Sequence, residues 1–159
     1  MSEILDGLYR GDEARVIELL AAEPALNIFE AAALGRVERL RELLSDDAGL
    51  ANAFGDDGFQ PLGLACFFGR LEAARMLLEA GADPNTLARN EIIQSNALHA
   101  AVAAENKPAA TRLALAKLLL DYGADPNARQ GGGFRPIDAA RHNGDDQLER
   151  LLIERGAED

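Results

Sequence analysis

Apolar residues recur along the chain as pairs of short helical stripes separated by glycine. Within residues 60–85, an apolar stripe opens at Pro61 and is closed by Gly69, and a second stripe ends at Leu77 and Leu78 before Gly81. Proline is favoured at the first position of a helix, and glycine is favoured just past its end. The spacing therefore predicts two short helices joined by a tight turn and followed by a loop.

The same unit returns at irregular intervals along the whole chain. Its starting positions are Ser2, Leu26, Gln60, Asn96 and Arg135. The steps between them are 24, 34, 36 and 39 residues. A recurring unit of this size predicts an array in which each helix pair buries its apolar face against its neighbours.

Two motifs within these units are specific. Residues 60–65 read Gln-Pro-Leu-Gly-Leu-Ala, residues 96–101 read Asn-Ala-Leu-His-Ala-Ala, and Gly-Ala-Asp-Pro-Asn occurs at both 81–85 and 123–127. Here the sequence resembles the ankyrin repeat, whose signature is Thr-Pro-Leu-His-x-Ala at a period of about 33 residues. The resemblance implies an all-α solenoid of stacked helix–turn–helix units with short β-hairpin, or finger, loops. We expect one domain over residues 1–159, with units of approximately 2–25, 26–59, 60–95, 96–134 and 135–159.

Several positions depart from the family pattern. Gln60 stands where the family has Thr, and Gly63 stands where it has His, which puts the family's inter-repeat imidazole bond in doubt at that joint. The finger that leads into the fourth unit, at residues 89–94, is longer than the others, and this unit has an insertion around residues 106–111. We expect Pro108 to begin a lengthened helix that reaches Asp121.

The ends of the array differ from its middle. Ser2 can cap the first helix. In the last unit, Arg141 and Glu149 occupy slots that are apolar in the inner units. These charges predict an outer face in contact with water, as a C-terminal capping repeat requires.

Composition and charge limit the classes of partner that the chain is expected to bind. The chain is 48% hydrophobic with a net charge of −11. Such a surface repels phosphate and favours a basic protein partner, so we expect neither nucleic-acid nor membrane binding. Cys66 is the only cysteine and no secretory signal is visible, so we expect a cytoplasmic protein. We also expect a monomer.

The candidate reactive residues do not form a catalytic pattern. His99 falls in the family's structural slot, His142 on a variable surface, and Cys66 in a small-residue core slot. Glycines 131–133 lack the Lys-Ser/Thr that follows them in a phosphate-binding loop. We expect no cofactor, no metal and no enzymatic activity.

One set of residues favours a binding role. The family binds through its fingers and through the exposed ends of the first helices, and bulky or charged side chains occupy several of those positions. These candidate contact residues are Tyr9, Arg10, Leu34, Phe59, Phe67, Phe68, Ile92, Ile93, Phe134 and His142. Clustered exposed aromatic residues indicate interaction surfaces. Phe67 is expected to be exposed, whereas Phe68 either is exposed or packs beneath the neighbouring finger.

The leading hypothesis is a non-catalytic module that binds a partner protein on its concave helix and finger face. The alternative is an acidic inhibitor or antitoxin-like protein that occludes a basic or nucleic-acid-binding partner. Two further hypotheses are that the chain is an enzyme, which no titratable cluster supports, or that it forms a homodimer through the face that carries Phe67 and Phe68.

Overall fold

The computed structural model describes residues 1–103 and 107–159. Within these ranges the secondary structure is helical, and no strand is present. The α-helices are α1 (Glu3–Arg10), α2 (Glu13–Ala21), α3 (Ile28–Leu34), α4 (Val37–Asp46), α5 (Pro61–Phe67), α6 (Leu71–Glu79), α7 (Ala97–Val102), α8 (Ala109–Asp121), α9 (Pro136–His142) and α10 (Asp146–Glu154). A 3-10 helix, which the sequence pattern did not predict, follows α4 at Ala48–Asn52.

The helices form two rows. The first helices of the units, α1, α3, α5, α7 and α9, pack one on the next, and α4, α6, α8 and α10 form a second row behind them. The alanines that recur in the first row, Ala31, Ala65, Ala101 and Ala140, are fully buried. Side chains of this size let the helices approach closely, and the resulting core extends from α1 to α10. The predicted all-α solenoid is confirmed.

The helix starts follow the capping residues of each unit. Ser2 Oγ accepts a hydrogen bond from the Leu5 N–H at 3.2 Å, as predicted. In the second unit the cap is Asn27, so α3 begins one residue later than the slot at Leu26 suggested. Gln60 makes no side-chain cap. Its amide instead donates to the Asn52 carbonyl at 3.1 Å, which ties the start of α5 to the preceding loop.

Basic side chains connect neighbouring units at the ends of the first-row helices. Arg70 Nε donates to the Ala33 carbonyl at 2.9 Å, and its aliphatic stem covers Gly35. Lys107 Nζ donates to the Phe67 carbonyl at 2.9 Å. Cations are favourable at helix C-termini, where carbonyl groups lack partners within the helix. Each of these side chains therefore caps the first helix of one unit from the unit that follows it.

The loops after the second-row helices are joined by a repeated side-chain bridge. Three asparagines occupy equivalent positions, and we call them the asparagine ladder: Asn52, Asn85 and Asn127. Their amide groups donate to the carbonyls of Gly81, Gly123 and Gly156, each at 2.9 Å. Their side-chain oxygens accept from the N–H groups of Asp83, Asp125 and Glu158 at 2.8–2.9 Å. Each asparagine thus fixes the spacing between its own loop and the next.

The fourth unit is lengthened as predicted. α8 has 13 residues, follows Pro108 directly and ends at Asp121. Residues 104–106, which include part of the predicted insertion, lie outside the described residues. At the far end of the stack, Arg141 forms ion pairs with Glu149 at 2.7 Å and Asp159 at 2.6 Å, on a face open to water.

None of the helices in the described ranges is both long and apolar enough to cross a lipid bilayer.

Candidate protein-binding groove

A groove of about 590 Å³ runs along the concave side of the stack, between the first-row helices and the fingers. Its walls come from α1, α5 and α7 and from the fingers at residues 54–59 and 88–95. The fingers are held together by main-chain hydrogen bonds, since the Arg89 N–H donates to the Gly58 carbonyl at 2.8 Å. Because these elements belong to different units, the groove exists only in the assembled stack.

Four rings at one end of the groove form what we call the aromatic cluster: Tyr9, Phe59, Phe67 and Phe68. The Tyr9 ring contacts the other three, with centroid separations of 6.4 Å to Phe59, 6.3 Å to Phe67 and 5.5 Å to Phe68. Phe67 and Phe68 meet edge to face at 5.0 Å. Rings prefer such tilted arrangements, which add stability beyond that of apolar burial. The first, second and third units thus contribute to a single patch.

The cluster is more buried than the sequence suggested. Phe68 packs with Phe59 against the buried side chains of Leu5, Ala33 and Leu64. For Phe68 the structure therefore favours packing beneath the neighbouring elements over free exposure. Phe67 was expected to be exposed, but it is half-buried. Lys107 lies against the Phe67 ring, with its Nζ 5.2 Å from the centroid, and the rings of Tyr9 and Phe68 also contact it.

The long finger at residues 88–95, which leads into the fourth unit, forms another wall of the groove. Its base closes where the Ala88 N–H donates to the Ser95 carbonyl at 2.9 Å. Asn90 Oδ1 accepts from the N–H groups of Ile92 and Ile93, both at 2.9 Å, and so bends the tip. As a result Ile93 lines the groove at 51% exposure, whereas Ile92, at 91%, lies outside the lining.

The remaining candidate residues lie elsewhere. Arg10 is exposed and pairs with Asp6 at 3.0 Å, and Leu34 packs on the main core. Phe134 is 61% exposed but does not line the groove, and His142 is exposed at the end of α9. The structure therefore brings Tyr9, Phe59, Phe67 and Ile93 into one groove with Phe68 behind them, and separates the other five.

The floor of the groove is open at Gly63, which was not among the predicted contact residues. Gly63 lies on α5 within the lining, and a Cβ added there would meet no atom within 4 Å. The available signal was the departure from the family's histidine at this position. Where the histidine is retained, at His99, its Nε2 donates to the Phe134 carbonyl at 3.2 Å. Burial lowers the pKa of His99, so its ring is neutral in this structural role.

The charge of the groove comes from aspartates. Asp57 and Asp83 line it, and none of the described lining residues is Lys or Arg. Asp57 Oδ1 accepts from the Phe59 N–H at 3.2 Å, and the Tyr9 hydroxyl donates to Oδ2 at 3.5 Å. Burial and the nearby Asp57 raise the pKa of Tyr9, so its hydroxyl keeps the proton it donates. The groove is thus apolar with a fixed negative charge at its aromatic end.

Two observations in the described ranges bear on possible chemistry. Cys66 is fully buried, and burial raises the pKa of its thiol to about 12, which leaves it uncharged and inert. No group of three or more His, Cys, Asp or Glu side chains is placed to hold a metal ion in these parts of the chain.

Comparison with known proteins agrees with the architecture. The family model described as "Ankyrin repeats (3 copies)" matches residues 8–88 and 28–130. The human protein named "DNA-binding protein RFXANK" is 41% identical over 88 residues, which cover 55% of this chain and 33% of that protein. The mouse protein of the same name is 36% identical over 98 residues, covering 55% of this chain and 36% of that protein. The chain therefore matches about a third of the length of these relatives.

The family match covers more than half of the chain and includes the elements that build the groove. Ankyrin repeats are modules that bind other proteins. This chain belongs to the ankyrin-repeat family.

Proposed function

We propose that the chain is a non-catalytic protein-interaction module that binds an extended segment of a partner protein in the concave groove. The observation that carries the proposal is the convergence of Tyr9, Phe59, Phe67 and Ile93 on one open groove of about 590 Å³. A concave apolar site with a few polar groups is the usual form of a binding site. The candidate contacts outside the lining, Arg10, Leu34, Ile92, Phe134 and His142, are assigned no role in this groove.

The groove is suited to a segment that arrives already extended. Its walls are built from short helices and from fingers fixed by hydrogen bonds, so little of this chain needs to be ordered on binding. A pre-organised surface avoids part of the entropy that association otherwise costs. We expect apolar side chains of the partner to seat between the aromatic cluster and Ile93.

Charge favours a basic partner. Residues 1–59 contain 5 Lys and Arg against 13 Asp and Glu, a net charge of −8 out of −11 for the chain. Such a surface attracts basic proteins and makes their association rate sensitive to salt. The curated relatives are named as DNA-binding, but the negative charge opposes contact with phosphates, and we propose no nucleic-acid binding for this chain. We propose further that it acts as a monomer in the cytoplasm.

The same concentration of negative charge supports a second candidate function, an acidic inhibitor or antitoxin-like protein. In that case the partner is a basic or nucleic-acid-binding protein whose active surface is covered by units one and two. Loss of the partner's activity on binding separates this function from a simple docking role.

Site-specific photo-crosslinking tests the proposed groove. A photo-reactive amino acid is placed at Ile93, inside the groove, or at Ile153, which is 47% exposed on α10 and does not line it. We expect a specific partner protein to crosslink at position 93 and not at 153. Equal crosslinking at both positions, or crosslinking only at 153, would contradict the proposal.

A further inference from the structure

We propose that the aromatic end of the groove is a subsite for an arginine side chain of the partner, whose guanidinium stacks on the cluster and pairs with Asp57. This inference rests on the proposed function, because it specifies which residue of the bound segment fills which part of the groove. Aromatic ring surface and a carboxylate lie side by side at this end of the groove, and together they suit an arginine side chain.

The ring surface suits a planar cation. Tyr9, Phe59 and Phe67 all line the groove, and the centroid of the Tyr9 ring lies 6.4 Å from that of Phe59 and 6.3 Å from that of Phe67. A guanidinium group stacks on aromatic faces and loses less hydration than an ammonium group when it does so. The chain contains an example of this contact, since the guanidinium carbon of Arg89 lies 3.9 Å from the centroid of the Phe54 ring.

The carboxylate is oriented before the partner arrives. Asp57 receives hydrogen bonds from the Phe59 N–H and the Tyr9 hydroxyl, one on each oxygen. The Asn90 side chain also donates to the Asp57 main-chain carbonyl at 2.8 Å, which ties this finger to the next. Each oxygen of the Asp57 carboxylate can accept a further hydrogen bond, so the two oxygens can together accept from two N–H groups of one guanidinium group.

Cations of the chain near the groove have partners other than Asp57, although Lys107 also lies over the Phe67 ring, with its Nζ 5.2 Å from the ring centroid. Arg10 pairs with Asp6 at 3.0 Å, and Lys107 donates to the Phe67 carbonyl at 2.9 Å. The N-terminal amine of Met1 lies 3.9 Å from Asp56, the neighbour of Asp57. No Lys or Arg is among the lining residues that the structure describes, and the amine of Met1, which does line the groove, lies beside Asp56, so a guanidinium group of the partner can approach Asp57 from the groove.

The test uses a displayed library of random nine-residue peptides as the probe. Selection is run on wild type, on Asp57→Asn and on Asp56→Asn. Asp56 is the matched control because its side chain is 96% exposed and lies outside the groove lining, while its substitution changes the net charge equally. The best wild-type peptide is then remade with citrulline or lysine in place of arginine, and the affinities are measured by calorimetry.

We expect wild type and Asp56→Asn to select arginine at one position beside apolar residues, and Asp57→Asn to lose the arginine but keep the apolar residues. For wild type, citrulline should weaken binding about tenfold or more and lysine should also weaken it, because charge-assisted bidentate pairs are strong and planar. Against Asp57→Asn, arginine and citrulline peptides should differ less than about twofold.

The other possible outcomes distinguish failure of the arginine subsite from failure of the whole groove as a binding site. Selection of apolar residues without arginine, equal affinity for lysine and arginine, or an unchanged preference in Asp57→Asn would overturn the arginine subsite while leaving the groove as a binding site. If wild type selects no peptide that contacts the groove, as judged by loss of binding in Gly63→Leu, the subsite and the proposed function fail together.

Discussion

The asparagine ladder and the groove lie in the same stack but use its repetition in opposite ways. In the ladder, three asparagines make the same pair of hydrogen bonds to the following loop, with distances that agree within 0.1 Å. In the groove, equivalent slots of the first-row helices hold different residues, such as Tyr9 in α1, Phe67 in α5 and Ala103 at the end of α7. Contacts that repeat fix the spacing of the units, and positions that vary shape the surface between them.

This difference separates stability from recognition. A change in a repeated contact should lower the free energy of unfolding and affect binding only through the fold. A change in a groove position that touches no neighbour should alter binding and leave the free energy of unfolding nearly unchanged. Ordered by size of effect, the following variants test where that division holds.

The largest effect is expected at a repeated core position. Ala65 is fully buried on α5, which packs between α3 and α7. Ala65→Asp overpacks this contact and buries an unpaired charge, which should cost about 3–5 kcal/mol. The measurement is the midpoint of chemical unfolding followed by circular dichroism. Ala14→Asp is the control, because Ala14 is exposed in the first turn of α2, where an acid is favourable. An unchanged midpoint for Ala65→Asp would contradict the assigned stacking.

A smaller loss of stability is expected where two fingers meet. This contact lies beside the groove, but its role is structural. Gly58 has φ of +82°, and a Cβ there would lie 2.5 Å from the carbonyl of Arg89. Gly58→Ala should therefore destabilise the chain by about 2–4 kcal/mol, through backbone strain and displacement of the second finger. Gly81 has φ of +98° but its added Cβ meets nothing, so Gly81→Ala isolates the strain. Thermal unfolding that ranks the two variants equally would show that the close approach of the fingers is not needed.

A moderate loss is expected within the ladder. Asn85 donates to the Gly123 carbonyl and accepts from the Asp125 N–H, both near 2.9 Å, in an exposed loop. Asn85→Ala should lower the free energy of unfolding by about 1–2 kcal/mol and leave groove peptides bound with unchanged affinity. The control is Asn143→Ala, at an exposed position that ends α9. A loss of peptide affinity without a loss of stability in Asn85→Ala would break the proposed division between the two regions.

The fold could be predicted because its signals are local. Proline at the start of a helix, glycine at its end and the apolar spacing between them lie within one unit, and Pro108 placed the start of α8 correctly. The ladder was within reach of the same reasoning, since asparagine occurs at positions 52, 85 and 127 in equivalent loops. What the repeat could not supply was the hydrogen bonding between those loops, which depends on how closely the units stack.

The groove could be predicted only in part because its residues are distant in sequence. Tyr9 and Phe59 were candidates from their positions, but their contact joins the first helix to a finger 50 residues later. The difference between Ile92 and Ile93 depends on the turn that Asn90 makes at the finger tip. Phe67 was expected to be exposed because its slot faces the concave side, but the rings of Tyr9 and Phe68 and a lysine 40 residues downstream pack around it.

The smallest change in stability is expected at Gly63, where the largest change in binding is also expected. Gly63 lies inside α5, and a side chain there would point into free space within the groove. Gly63→Ala should stabilise the chain by about 0.5–1 kcal/mol, because glycine costs helix stability and no neighbour needs to move. Gly63→Leu should fold as well but fill the floor of the groove, and weaken selected peptides about tenfold or more. Peptide titration by calorimetry, with unfolding measured on the same samples, separates the two effects. If Gly63→Leu binds the peptides as tightly as Gly63→Ala does, the peptides bind elsewhere. If both variants have a lower free energy of unfolding than wild type, this face of α5 contributes to stability. The proposed division between the two regions would then fail at its clearest position.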